Sequence, residues 1–155
     1  MTRQGKTTAS DEMDAGVAEP TVRVFLSPDV ASVAVARSAV RRAVRFDTDD
    51  LASRFLTALT EIVVNAIEQH QGAESESSII VDLDLGDGAS VAVANEADGG
   101  SVDLDARSVG HTDDVRNSRG RGLSMARVLV PAMTISQSDS DIRITLPLRG
   151  FGSPS

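Results

Sequence analysis

Glu61 and Asn65 stand four residues apart in the stretch "LTEIVVNAIEQHQG", residues 59–72. On a helix that spacing puts both side chains on one side. A carboxylate accepts protons and an amide oxygen is a hard donor atom, so the pair has the makings of half a site. Spacing alone leaves a second reading equally open, because exposed acids and amides also cover solvated helix faces. The other half of a site would have to come from elsewhere in the chain. One candidate is "SRGRGLSMA", with Gly120 and Gly122 flanked by Arg119 and Arg121. Glycines let a backbone approach an anion closely, a helix N-terminus offers free N–H groups, and the two arginines could add charge-assisted contacts to phosphate. A glycine pair before a helix can equally mark no more than a tight turn.

The elements that must hold these residues can be read from periodicity. Residues 1–20 are polar and aperiodic and read as a disordered leader. "TVRVFLS" alternates with Val22, Val24 and Leu26 inward, a first strand. "SPD" then starts a helix from about Pro28 to Arg45, with Ser27 as cap. Asp47 or Thr48 caps a second helix, from about Asp49 to Gln71, stopped by Gly72. Its apolar residues Leu51, Phe55, Leu59, Ile62, Val63 and Ala66 form one stripe. His70 falls on that stripe and reads as a packing residue.

"SSIIVDLDL" and "ASVAVAN" alternate around "GDG" as a hairpin, with Asp82 and Asp84 pointing to solvent. The segment from Glu96 to Arg119, which contains His111, has no periodicity; a loop of that length inside a compact domain is usually functional. "GRGLSMARVLV" opens a third helix that Pro131 ends. "AMTISQ" and "DIRITLPL" close the fold as a hairpin with Ile142, Ile144 and Leu146 inward, and residues 149–155 read as a frayed tail. The order β-α-α-β-β-loop-α-β-β implies an α+β fold: a two-layer sandwich with a mixed, mostly antiparallel sheet and helices on one face.

Composition narrows the chemistry. The chain has 155 residues, 41% hydrophobic and 25% charged, enough for one domain (residues 21–148) with a real core. No apolar run approaches the roughly 20 residues of a membrane span, and the N-terminus lacks a secretory apolar region, which reads as a cytoplasmic protein with no membrane partner. Without cysteine there are no disulfides, no thiolate chemistry and little basis for structural zinc. A net charge of −8 argues against direct nucleic-acid binding and leaves proteins, or an anion held by backbone amides and a metal ion, as partners. Arg37, Arg41 and Arg45 repeat at every fourth position of the first helix, either a solvated face or a patch for an acidic protein.

Three stretches together resemble the GHKL (Bergerat-fold, histidine-kinase-like) ATPase superfamily, and within it the small anti-sigma-factor serine kinases. "EIVVNAIEQH" resembles the family's N box. "VAVANEADGG" stands where its D-x-G-x-G box follows a strand, and "GRGL" resembles the last glycine box. The likeness covers about residues 21–148, with no phospho-accepting His box before it. It implies an anti-sigma regulator that binds a sigma factor and uses Mg-ATP to phosphorylate a serine of a STAS-type anti-anti-sigma protein. Glu61 would be the catalytic base and Asn65 the Mg²⁺ ligand. Asn95, Gly99, Arg119, Gly120, Arg121, Gly122 and Leu123 would contact the nucleotide, under a lid formed by the loop before them. A homodimer is common in that family.

Three positions depart from the pattern. The base-reading aspartate of the family falls on Asn95 and the next glycine of its box on Ala97, while Gln69 stands at the N box's usual histidine. A register using Asp98 and Gly100 would need three more residues after the strand. The departures motivate a second reading, a nucleotide-independent binding module that keeps the fold and the partner surface.

Overall fold

The computed structural model describes residues 21–73, 79–96, 118–138 and 141–155. The leader at 1–20, the adenine-box residues 97–100 and the body of the expected lid lie outside the described residues. In chain order the elements are β1 (Thr21–Leu26), α1 (Ala31–Ala43), β2 (Val44–Phe46), α2 (Asp49–Ala73), β3 (Ile79–Asp84), β4 (Ser90–Glu96), α3 (Ser118–Leu129), β5 (Thr134–Gln137), β6 (Asp141–Pro147) and β7 (Gly152–Pro154).

Five strands form one sheet in the order β1-β3-β4-β6-β5, and every pairing among the described residues is antiparallel. Along β3, β4 and β6 the residues of the apolar core cluster alternate: Ile79, Val81 and Leu83; Val91 and Val93; Ile142, Ile144 and Leu146. That period of two turns one sheet face into the core, where the helices pack and bury Phe55, Leu59, Ile62, Val63 and Ala66 of α2. The α+β expectation is met, with an antiparallel rather than mixed sheet.

Thr48 caps α2 as its sequence suggests: Leu51 N donates to Thr48 Oγ1 at 3.0 Å, with Asp49 and Asp50 in the first turn. The helix runs through Gly72 to Ala73. One glycine costs about 1 kcal/mol in a helix, too little to end one already committed over many turns. At α1 the start shifts. Val30 occupies the cap position, and Asp29 Oδ1 accepts from Ala31 N at 2.7 Å, so the entry turn uses Asp29 where Ser27 was expected to cap. Arg37 leaves the expected arginine face altogether: its Nη1 donates to Leu56 O at 3.1 Å and Thr60 Oγ1 at 2.9 Å, tying α1 to α2.

Two corrections concern the chain's edges. Leu26 is buried and Val24 half-buried, but Val22 is 44% exposed, because β1 is an edge strand whose first residues lie beyond the core. Residues 149–155 are not frayed. Gly152–Pro154 pairs antiparallel with Val44–Phe46, extending what reads as helix end into a second small sheet. Phe151 is 8% exposed and meets Phe55 edge-on at 5.4 Å, while Phe46 lies 5.6 Å from the same ring. Three of the four phenylalanines thus converge where α2 begins.

On the outer sheet face, Asp82 does not stand free in solvent. Arg23 grips it with both ends of its guanidinium, Nε to Oδ1 at 2.7 Å and Nη2 to Oδ2 at 2.9 Å, and Arg143 Nη1 adds a contact of 3.2 Å. The hydrogen bonds from Arg23, with help from Arg143, hold the Asp82 carboxyl below the usual carboxylate range despite its burial.

Candidate functional site

Helix α2 presents two faces. The apolar one is sealed in the core; the polar one carries Glu61, Asn65 and Gln69 at successive four-residue steps. At a rise of 1.5 Å per residue that stripe is about 12 Å long. Asn65 is only 4% exposed, and its Oδ1 is buried without a hydrogen-bond partner among the described residues. Gln69 Nε2 shares that condition. Buried polar atoms left unpaired are uncommon and costly, so two on one stripe among the described residues make it a candidate site.

Strand β4 brings the next residue. Val91 and Val93 face the core, and Asn95, two further along the same face, is 6% exposed. A polar group at a core position needs a match, and Asn95 Nδ2 donates to Gln69 Oε1 at 3.1 Å. Helix and strand are therefore joined through two carboxamides at one end of the stripe. His70 is buried at 1%, in keeping with a packing residue.

Helix α3 covers the other end. Leu123 and Ala126, at 1% and 0% exposure, anchor its apolar side to the core, and Val130 just after it is buried to 1%. This lays Gly122 against α2, where a Cβ on Gly122 would stand 3.0 Å from Glu61 Oε1. Glu61 itself is half-buried.

The helix starts at Ser118, so Arg119, Gly120 and Arg121 belong to its first turn and Gly122 follows directly. The sequence reading put the glycines ahead of the helix; they lie within it. The first turn, with Gly120 in it, still offers free N–H groups. Leu123 differs from its expected role, since its side chain is packed into the core. Gly99 lies outside the described residues.

The structure thus brings together Glu61, Asn65, Asn95 and Gly122 around one polar stripe. It adds Gln69, which sequence reasoning noted only as an occupant of the family's histidine position. Its signal was available: Gln69 continues the four-residue step of Glu61 and Asn65.

Among the described residues no group of three His, Cys, Asp or Glu side chains is placed to hold a metal. A divalent ion here would be shared between one protein oxygen and the oxygens of a ligand, the way Mg²⁺ is held with phosphates. The unpartnered Asn65 Oδ1 fits that requirement. No described helix is long and apolar enough to cross a membrane.

Comparison with known proteins agrees with this geometry. One solved structure, the RsbU and RsbW domains of Rv1364c from Mycobacterium tuberculosis, matches with a TM-score of 0.56 at 22% identity. The match covers 88% of this chain and 33% of that one, so the chain spans one third of the length of that neighbour. No curated protein matches. The family model described as histidine kinase-like ATPase domain matches residues 26–146, from the end of β1 to the end of β6. The chain belongs to the histidine kinase-like ATPase family.

Proposed function

We propose that this chain is an anti-sigma regulatory factor: it binds a sigma factor and, with Mg-ATP, phosphorylates a serine of a STAS-type antagonist. The observation that carries the reading is the Asn65 Oδ1, buried and unpartnered on the same helix face as Glu61. When bound, Mg²⁺ would offset the charge of the triphosphate during transfer. Asn65 would hold that ion through Oδ1. The Glu61 carboxylate would take the proton of the incoming serine hydroxyl, a step that needs it within hydrogen-bond reach of the nucleophile. The free N–H groups of the first turn of α3, with Gly120 in it, would receive the phosphates. The Asn95–Gln69 end of the stripe would meet the base.

A protein partner is supported by α1. Val30 and Val35 are 75% and 50% exposed, and Arg41 and Arg42 stand in solvent on the same helix and its approach. Apolar residues beside exposed cations suit an acidic protein surface. A homodimer is the expected state, to be read by light scattering.

The decisive experiment incubates the protein with Mg-ATP and its cognate antagonist. Phosphoserine that depends on Glu61 supports the kinase; its absence, or unchanged transfer in Glu61→Ala, removes it. A second reading, a binding module that does not use nucleotide, is favoured by one observation: a carboxamide already bonded to Gln69 stands where the family has an aspartate. Calorimetric titration separates the two, because micromolar Mg-ATP affinity that vanishes in Asn65→Ala excludes a nucleotide-free module.

A further inference from the structure

Strand β1 stands at one edge of the five-stranded sheet, and among the described residues no strand pairs with its outer side. Its six residues keep an uninterrupted register with β3, from Thr21 opposite Asp84 to Leu26 opposite Ile79. An edge of this kind displays a row of main-chain N–H and C=O groups to any strand that reaches it. Folded proteins blunt such edges with charge. The one charged residue of β1 is Arg23, and its guanidinium is turned onto the sheet face, bound to both carboxylate oxygens of Asp82. The edge is left undefended, with Val22 44% and Phe25 62% exposed. The opposite edge, β5, offers only the four residues Thr134–Gln137.

Charge decides what suits this edge. The chain carries a net −8, so two copies repel over much of their surface. Around β1 that excess is missing: Arg23 and Arg143 meet Asp82, and Asp84 lies opposite Thr21. An acidic segment finds no net attraction here, whereas a second β1 meets no net repulsion. A two-fold axis normal to the sheet joins two such strands antiparallel and keeps each side chain on its own face. With Arg23 opposite itself, two guanidiniums face each other, which is unfavourable. With Val24 opposite itself, Arg23 lies across from Phe25 of the second copy, and Val22 across from Leu26. Asp82 already holds Arg23 in place, and a guanidinium beside an exposed ring is a favourable contact.

We propose that β1 is the seat of a homodimer, an antiparallel β1–β1 join centred on Val24 that continues the sheet from one copy into the other. This rests on the homodimer expected above, names the surface that forms it, and is independent of nucleotide.

The chain has no cysteine, so a single one introduced can bridge only two copies. Val24→Cys should cross-link on mild oxidation, because residues opposite each other in an antiparallel pair have Cα atoms about 4.5–5.5 Å apart, within the span of a disulfide. Val22→Cys should not, since the two copies of that position are then offset by about 13 Å along the strands. Analytical ultracentrifugation of the full chain gives the second arm. Phe25→Lys sets a cation against Arg23 of the second copy, and Phe25→Glu sets a carboxylate there. Both lose the ring alike, and thermal melts show that both fold. The lysine variant should dimerise at least about tenfold more weakly than the glutamate variant. A dimer in which Val24→Cys does not cross-link, or in which the two charged variants associate equally, uses another surface; it overturns this inference and leaves the homodimer standing. A monomeric wild type, whether its β1 edge is bare or covered by another segment of its own chain, removes the homodimer and this inference together.

Discussion

Gly122 on α3 lies directly against the Glu61 carboxylate of α2: a Cβ on the glycine would stand 3.0 Å from Oε1 and 3.9 Å from the Glu61 Cβ. The glycine demand at this position therefore comes from a neighbouring acid, not from a left-handed backbone. The obstacle is the far end of a flexible side chain, which can rotate away. Gly122→Ala also gains up to about 1 kcal/mol of helix propensity, which offsets the crowding. The variant should melt within a few degrees of the wild type, yet with its carboxylate displaced it should transfer phosphate at least tenfold more slowly. Parallel melting and phosphoserine assays check this. A variant with full activity would show that the position of Glu61 does not matter.

Asn65 gives the opposite pairing of effects. An unsatisfied buried acceptor costs about 1–3 kcal/mol, so removing it should not weaken the fold by that amount. Asn65→Ala should melt without ligand within about 1 kcal/mol of wild type, since the small cavity and the lost orphan roughly cancel. The rise in Tm that Mg-ATP gives the wild type should disappear. Differential scanning calorimetry with and without Mg-ATP measures both.

Phe151 is a structural prediction independent of function. Packed edge-on against Phe55 and nearly buried, it should cost about 3 kcal/mol or more as Phe151→Ala, read by urea unfolding. Gly152→Ala should also destabilise strongly, because its Cβ would meet the Arg45 carbonyl oxygen across the β2–β7 pair. Backbone, unlike the Glu61 carboxylate, has no rotamer in which to yield.

Asp82 sets a pH dependence. Its folded-state pKa lies below the unfolded value, so the stabilisation by Arg23 is fully present above the unfolded pKa of about 3.9. It is lost as pH falls through the folded pKa. Asp82→Asn should therefore lose a little stability at neutral pH, little because the arginines are so exposed, and the gap to wild type should close in acid. Urea midpoints at pH 7 and near pH 3 test it; a gap constant with pH would show that the ion pair does not contribute.

How much of this was legible beforehand depended on the range of the interaction. The Thr48 cap, the alternation of Ile142, Ile144 and Leu146, and the apolar stripe of α2 are local patterns, and each is found where the sequence puts it. Val44–Phe46 continues a helical pattern, and only its pairing with Gly152–Pro154 makes it a strand. Arg37 has the spacing of a solvated face, but the Leu56 carbonyl that receives it belongs to another helix. In the site, Glu61 and Asn65 were visible as a helix pair. Their juxtaposition with Gly122 and the bond from Asn95 to Gln69 are contacts between distant segments, which no spacing encodes.

The β2–β7 pair also bears on how the domain is made. Val44 and Pro154 are partners roughly 110 residues apart, and Phe151 closes on Phe55 from the same late segment. During synthesis, at about 5–20 residues per second, the front of α2 waits several seconds for the strand and ring that hold it. A nascent or prematurely terminated chain can contain every residue of the polar stripe while lacking the clamp that fixes the helix bearing it. Such a product presents Phe46 and Phe55 uncovered, the kind of apolar surface that chaperones and proteases act on, so partial copies would be cleared before they could compete for a partner.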